Sequence, residues 1–205
     1  MLYLISPHNY DDHLQDLEEI YRLRYRFFYK SLKWDVKTHD GKEKDEYDNS
    51  NAYYIIYKAH EGVKGCLRLI EMTNECMFDG PFDFLLTDTL DNFKKSGCWE
   101  ISRLAIDTEC NEEEFRNIFT YLIVALSHFS LKSDTPKTYL TLSYPTSVEL
   151  AKNLGISIKI IKEDRIDNKP VAVSVYTPGL KSHRKLMQKL PSLLEPNFPI
   201  DLQFI

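Results

Sequence analysis

Glycine and proline are scarce, 7 and 9 in 205 residues, which excludes collagen-like repeats and Pro/Gly-rich low-complexity tracts. No apolar run approaches the ~20 residues that cross a bilayer. The opening Met1-Leu-Tyr-Leu-Ile-Ser-Pro lacks the basic start and the apolar length of a secretion signal. The expectation is a cytoplasmic protein with no membrane partner. The four cysteines (Cys66, Cys76, Cys98, Cys110) form no CxxC pair, so neither a zinc knuckle nor a redox motif is expected, and they are read as free thiols. GxSxG, HExxH, Walker A and GxGxxG are all missing. The six histidines show no ligand spacing, so no metal is expected. Basic excess is lacking too: the net charge is −5, which argues against a nucleic-acid partner.

What is present is ordinary globular material, 43% hydrophobic and 28% charged, enough for a sizeable core in one domain over residues 1–205. Charge is uneven. Residues 1–150 carry 26 acidic against 17 basic side chains, net −9, while residues 151–205 carry 5 against 9, net +4. Hydrophobic spacing predicts a strand at Leu2–Ile5 and a helix from about Asp11 to Leu32, with Leu14, Leu17, Tyr21, Phe28 and Leu32 on one stripe. Residues 35–52 read as a long acidic loop. Strands are expected at Tyr53–Ala59 and Val63–Met72, joined at Glu61-Gly62, and again at Trp99–Asp107. A short helix is expected at Asp88–Lys95. Asn111 and Glu114 read as the cap of a helix running to about Lys132. A strand at Thr138–Tyr144, a helix at Thr146–Leu154 stopped by Gly155, and strands at Ile156–Lys162 and Val171–Tyr176 complete the order. Helices interleaved with strands, with an early hairpin and later crossovers, predict a mixed α/β sheet in three layers.

The anomaly is charge at positions assigned to the interior. Arg24 falls in line with Leu17, Tyr21 and Phe28. Arg68 alternates with Cys66 and Ile70 in a strand apolar on both faces. Glu100 and Arg103 lie in WEISRLAI, which is equally apolar. A lone buried ion costs several kcal/mol, so these charges are expected to be paired or to line a cleft, with Glu100 and Asp45 or Asp48 neutralising the three arginines. An arginine on such a stripe can also snorkel to water, and an ion-pair network can be purely structural. Strict alternation puts Glu100 and Arg103 on opposite faces, so a shared pocket requires a bulge between them.

Ahead of the long helix runs Asp107-Thr-Glu-Cys-Asn-Glu-Glu-Glu, five acids and no glycine. Enzymes that bind acyl-coenzyme A at such a turn use glycine and basic residues to hold the diphosphate on the helix N-terminus. This turn would repel one.

Several segments taken in order resemble the LuxI-type acyl-homoserine-lactone synthases, the autoinducer synthases of quorum sensing. They are Arg24-Tyr-Arg-Phe-Phe28, Trp34-Asp-Val, the acidic run from Gly41 through Asp45 to Asp48, Tyr53-Tyr-Ile-Ile, Gly65-Cys-Leu-Arg68-Leu, Met77-Phe, Phe82 and Trp99-Glu100-Ile-Ser102-Arg103. Beyond Asn111 the likeness rests on element order. The resemblance implies a GNAT-like acyltransferase fold, a mixed, mostly antiparallel sheet flanked by helices in an α-β-α arrangement. It also implies a reaction in which S-adenosyl-L-methionine (SAM) accepts an acyl group from an acyl carrier protein, then lactonises and expels methylthioadenosine. SAM is thus a consumed substrate, and no cofactor is expected.

On this reading Glu100 is the first choice and Asp45 the second for deprotonating the SAM amine. Asp45, Asp48, Phe28 and Trp34 suit its cationic centres, and Arg24, Arg68 and Arg103 its carboxylate, with Phe82 and Ser102 also in the pocket. Arg24, Arg68 and Asp48 are further expected to hold the acidic loop on the sheet. The family's acyl-selecting threonine maps to Thr141 or Ser143. Leu104 stands where the family commonly has Phe. Acyl carrier proteins are acidic, so Lys152, Lys159, Arg184, Lys185 and Lys189 are candidate docking residues. Two other readings remain: a GNAT-like N-acyltransferase using acyl-coenzyme A and another amine, and a non-catalytic binding relative.

Overall fold

A computed structural model describes residues 1–132 and 137–190, with the backbone alone of 200–201. Its strands are β1 (Leu2–Ile5), β2 (Thr38–His39), β3 (Lys42–Glu43), β4 (Ala52–Ala59), β5 (Gly62–Glu71), β6 (Cys98–Ile106), β7 (Thr138–Ser143), β8 (Ile158–Ile166), β9 (Lys169–Tyr176) and β10 (Ile200–Asp201). The helices are α1 (Leu14–Arg24), α2 (Glu112–Leu131), α3 (Pro145–Asn153) and α4 (Leu180–Met187). The chain divides into two compact units. The first comprises Met1–Arg68, Arg103–Leu126 and Leu190–Ile205, the second Leu69–Ser102 and Ser127–Lys189. β5 and β6 are long enough to contribute to both.

In the first unit the strand order is β10-β1-β4-β5-β6. β1 runs antiparallel to β4 and parallel to β10. α1 covers one face, packing Leu17, Ile20, Tyr21 and Leu23 against Ile5, Tyr54, Ile56, Cys66 and Ala105. The first half of α2 covers the other. Gly65 makes that approach possible, because a Cβ there would lie 2.4 Å from Ile118 Cγ2. The three-layer expectation therefore holds in this unit. α2 starts at the cap read from the sequence: Asn111 Oδ1 accepts the Glu114 N–H at 3.0 Å, and Glu114 accepts the Asn111 N–H at 2.9 Å.

The first helix departs from its expected form. Leu14 is 60% exposed, so the buried stripe begins at Leu17. After Arg24 the chain widens into a π-helical turn over Tyr25–Ser31, with Leu32 N–H donating to Phe27 C=O at 3.0 Å. Such turns often mark functional sites. Lys33, at φ 54°, then reverses the chain and brings Trp34 back onto Phe28. The acidic segment also holds a short hairpin, β2–β3, turned by Asp40-Gly41 in left-handed conformations that suit both residues.

In the second unit the order is β5-β6-β7-β9-β8. β6 and β7 are parallel from Cys98↔Thr138 to Ile101↔Thr141, while β7–β9 and β8–β9 are antiparallel. β8 runs on to Ile166, past the expected end, and α4 was not expected at all. The helix expected at Asp88–Lys95 is only a 3₁₀ turn at Leu90–Asn92. Among the described residues no helix is long and apolar enough to cross a membrane.

Candidate active site

Arg24 ends α1 and is fully buried. Its Nε donates to Glu43 at 2.5 Å, and its Nη1 and Nη2 donate to the two oxygens of Asp48 at 2.7 and 2.8 Å. Arg68, on β5, donates to Asp45 at 2.5 Å and to Asp48 at 3.0 Å. Arg103, on β6, donates to Glu43 at 3.1 Å and lies 2.7 Å from Asp45 Oδ2. Each carboxylate is shared by two guanidiniums and each guanidinium by two carboxylates. The result is a closed ring: Arg24, Glu43, Arg103, Asp45, Arg68, Asp48 and back to Arg24. Six charges sum to zero, and this pairing is what makes their burial tolerable.

The loop is folded to present these carboxylates. Asp48 accepts the Asp45 N–H at 2.9 Å, Asp45 accepts the Tyr47 N–H at 3.0 Å, and the Tyr54 hydroxyl donates to Asp48 at 2.7 Å. Burial alone would raise the Asp48 carboxyl, but the Arg24 and Arg68 guanidiniums overturn that and hold it far below the usual carboxylate range. Burial likewise works against the charged forms of Arg24 and Arg68, and the ring carboxylates push both above the ordinary arginine value. Arg24, Arg68, Glu43 and Asp48 thus pin helix, loop and sheet together.

One side of the ring stays more open. The Arg103 and Asp45 side chains keep 10% and 8% of their exposure. Arg103 lies 5.6 Å from the Phe28 ring centre, and Phe28 stacks on half-buried Trp34 at 5.1 Å. This edge sets a cation and an anion beside an aromatic pair, of which Phe28 is buried and Trp34 half-buried.

Arg103 reaches the ring by an irregularity in its strand. Its φ is +52° within a continuous strand, a left-handed conformation that few residues other than glycine adopt.

The sequence reading assigned neutralisation of the arginines to Glu100 with Asp45 or Asp48; both aspartates take part, and Glu43, which it overlooked, is an addition. Glu43 is fully buried and takes two corners of the ring. Glu100 belongs to the second unit, where it is buried and accepts the Met77 N–H at 2.8 Å. It thereby anchors the turn Met77–Asp79, behind which half-buried Phe82 donates its N–H to Met77 C=O. Ser102 is half-buried on β6, directly before Arg103.

Thr141 and Ser143 are half-buried on β7. By alternation they share a face with Tyr139, whose hydroxyl lies 2.5 Å from Ser130 of α2. Lys159, Arg184, Lys185 and Lys189 are exposed, and Lys152 is half-buried and paired with Glu149 at 3.1 Å. Two of these five lie against the end of α3: Lys189 Nζ donates to Asn153 C=O at 3.2 Å, and the Lys185 side chain passes beside Gly155. Lys159 stands apart on β8.

The strand order and the covering helices are those of a GNAT-like acyltransferase fold. The structure of BjaI, described as a CoA-dependent acyl-homoserine lactone synthase with SAM and isopentyl-CoA, matches with a TM-score of 0.82 at 20% identity, covering 93% of this chain and 89% of that one. In sequence, the acyl-homoserine-lactone synthase of Vibrio anguillarum is 27% identical over 82% of this chain and 89% of its own length. That of Aeromonas hydrophila is 35% identical over 44% of each chain, so this alignment spans less than half of that relative. The Autoinducer synthase family profile matches residues 9–186, and the chain belongs to that family.

Proposed function

We propose that this chain makes N-acyl-L-homoserine lactone from SAM and an acyl thioester on acyl carrier protein, releasing methylthioadenosine, in the cytoplasm. The observation that carries the reading is the closed charge ring with its open Asp45–Arg103–Phe28–Trp34 edge. SAM is a zwitterion with a second cation, and each of its charged groups has a complement there. Asp45 receives the ammonium, Arg103 the carboxylate, and the aromatic pair the sulfonium. The ring needs no rearrangement to do this, which is the economy of a preorganised site.

Glu100 takes a proton from the SAM ammonium, freeing the amine. Asp45, whose oxygens already meet two guanidiniums, serves recognition. The amine attacks the thioester carbonyl, the C–N bond forms, and the C–S bond breaks to release the carrier thiol. One SAM carboxylate oxygen then attacks the γ-carbon. The C–O bond closes the lactone as the bond to the sulfonium breaks, and methylthioadenosine leaves. Arg24, Arg68, Asp48 and Glu43 hold the geometry, while Phe82 and Ser102 line the pocket. Thr141 and Ser143 line the acyl side, and the cations about α3 and α4, with Lys159, receive the acidic carrier.

The second reading, an acyl-coenzyme A donor, draws support from the donor named for BjaI. Against it stands the start of α2, where Asn111 and Glu114 satisfy each other, Glu112 and Glu113 are exposed, and Asp107 accepts from Lys64 at 2.7 Å. A diphosphate placed there meets carboxylates in place of free N–H groups. Mass spectrometry of reactions containing SAM and matched acyl groups on either carrier tests both points. Lactone and methylthioadenosine in equal amounts from the carrier-protein donor is the expected result. An absolute demand for coenzyme A overturns the donor assignment, and no lactone from either donor overturns the function.

A further inference from the structure

Between β5 and β6 the chain forms a strap of three short 3₁₀ turns, Met77–Asp79, Asp83–Leu85 and Leu90–Asn92. Glu100 of β6 holds its inner end by accepting the Met77 N–H at 2.8 Å. Lys162 of β8 holds its outer end, with Nζ donating to Phe84 C=O at 3.1 Å. Backbone hydrogen bonds link the two points: Leu85 N–H donates to Phe82 C=O, and Phe82 N–H to Met77 C=O, both at 3.1 Å. The strap is thus tied to the sheet at the carboxylate assigned as the base and again at the far edge strand.

Lys162 reaches the strap because β8 is bulged. Ile160 pairs with Ser174, but Lys162 pairs with Val173, the adjoining residue of β9. Directly opposed residues share a face. Val173 pairs with Leu142, and Leu140, two residues from it on β7, pairs with Glu100, so Lys162 and Glu100 lie on one face of the sheet. Without the extra residue Lys162 would share the face of Ile160 and point away from the strap. Re-aiming a side chain is what bulges near active sites do. Asp164 Oδ2 lies 3.8 Å from Lys162 Nζ, farther than the Phe84 oxygen.

We infer that Lys162 is a positioning residue: by clasping Phe84 it fixes the strap and, through the Met77 N–H, the Glu100 carboxylate. The inference rests on the reading of Glu100 as the base in the acyl transfer proposed above. A base works only within hydrogen-bond reach of the proton it takes, and a small misplacement costs much of the rate. The clasp itself is exposed, so water can replace it, and its loss frees the strap without unfolding the unit.

The test compares the full chain with Lys162→Met, which keeps the stem and removes the donor, and Lys162→Arg, which restores one. Amide hydrogen exchange read by NMR is expected to quicken about fivefold at Met77 and Phe82 in the methionine variant and to slow again in the arginine variant. With SAM and a carrier-bound acyl donor, kcat is expected to fall about fivefold or more in Lys162→Met, with either KM changed less than about twofold. Lys162→Arg should recover most of that rate. Unchanged exchange, unchanged kcat, no recovery with arginine, or a loss confined to KM for the carrier overturns the assignment, the last by making Lys162 a docking cation. In each of those cases the wild-type chain still makes lactone. Absence of lactone from the wild-type chain instead condemns the acyl-transfer reading, so the two failures are separable.

Discussion

The two units handle buried polarity in opposite ways. In the first, three guanidiniums and three carboxylates close on one another, and even the loop amides and a tyrosine hydroxyl are drawn in. In the second, the sheet face beside α2 is built largely of rings and aliphatic groups, and the hydroxyls of Ser174 and Tyr176 are buried there without a hydrogen-bond partner among the described residues. A satisfied network is rigid and intolerant of change, which suits recognition of a reactant that never varies.

Removing one corner of the ring is expected to have the largest effect. Asp48→Ala strands Arg24 without its bidentate partner and removes acceptors from Arg68 and Tyr54. The expected loss is about 3–5 kcal/mol in urea unfolding, and Asp48→Asn should lose less because an acceptor for Tyr54 remains. A loss below about 1 kcal/mol would show that the ring does not hold the unit together.

Acid should act on the same unit more gradually. Asp48 titrates far below its unfolded value of about 4 because of Arg24 and Arg68, so it binds fewer protons folded than unfolded in that range. Its contribution to stability is fully present above about pH 4 and drains away as pH falls toward the depressed value. Stability followed by circular dichroism from pH 6 downward should decline below about pH 4, with a shallower slope in Asp48→Asn. The smallest effect belongs to the second unit and has the opposite sign: Ser174→Ala should gain about 1 kcal/mol or less.

Much of this architecture was legible from hydrophobic periodicity. The β4–β5 hairpin, β6, α2 with its cap, β7 and α3 all lie within a residue or two of their expected bounds. The conflict between charge and burial at Arg24, Arg68 and Arg103 pointed to a buried ionic site before any coordinates. Glu43 escaped because it stands in a run of charges, Lys42-Glu-Lys-Asp-Glu, where no apolar alternation marks one carboxylate as buried. Only the Asp40-Gly41 turn signal beside it could have suggested the hairpin that turns it inward. The left-handed Arg103 had no local signal, since neither glycine nor asparagine occupies that position. β8 ran past its expected end because Glu163-Asp-Arg165, just before its final Ile166, are exposed and polar, as edge strands often are. α4 was missed because eight residues rich in Lys, Arg and His show little beyond one buried position, Leu186.

The proposal that Asp45 meets the SAM ammonium can be tested without turnover, since no acyl group is transferred when the donor is left out. Calorimetric titration of SAM into the wild-type chain and into Asp45→Asn, with thermal unfolding followed in parallel, reads that contact directly. Affinity is predicted to fall about tenfold or more in a variant that still unfolds cooperatively, the scale of one charge-assisted hydrogen bond. Equal affinity in the two proteins would contradict it.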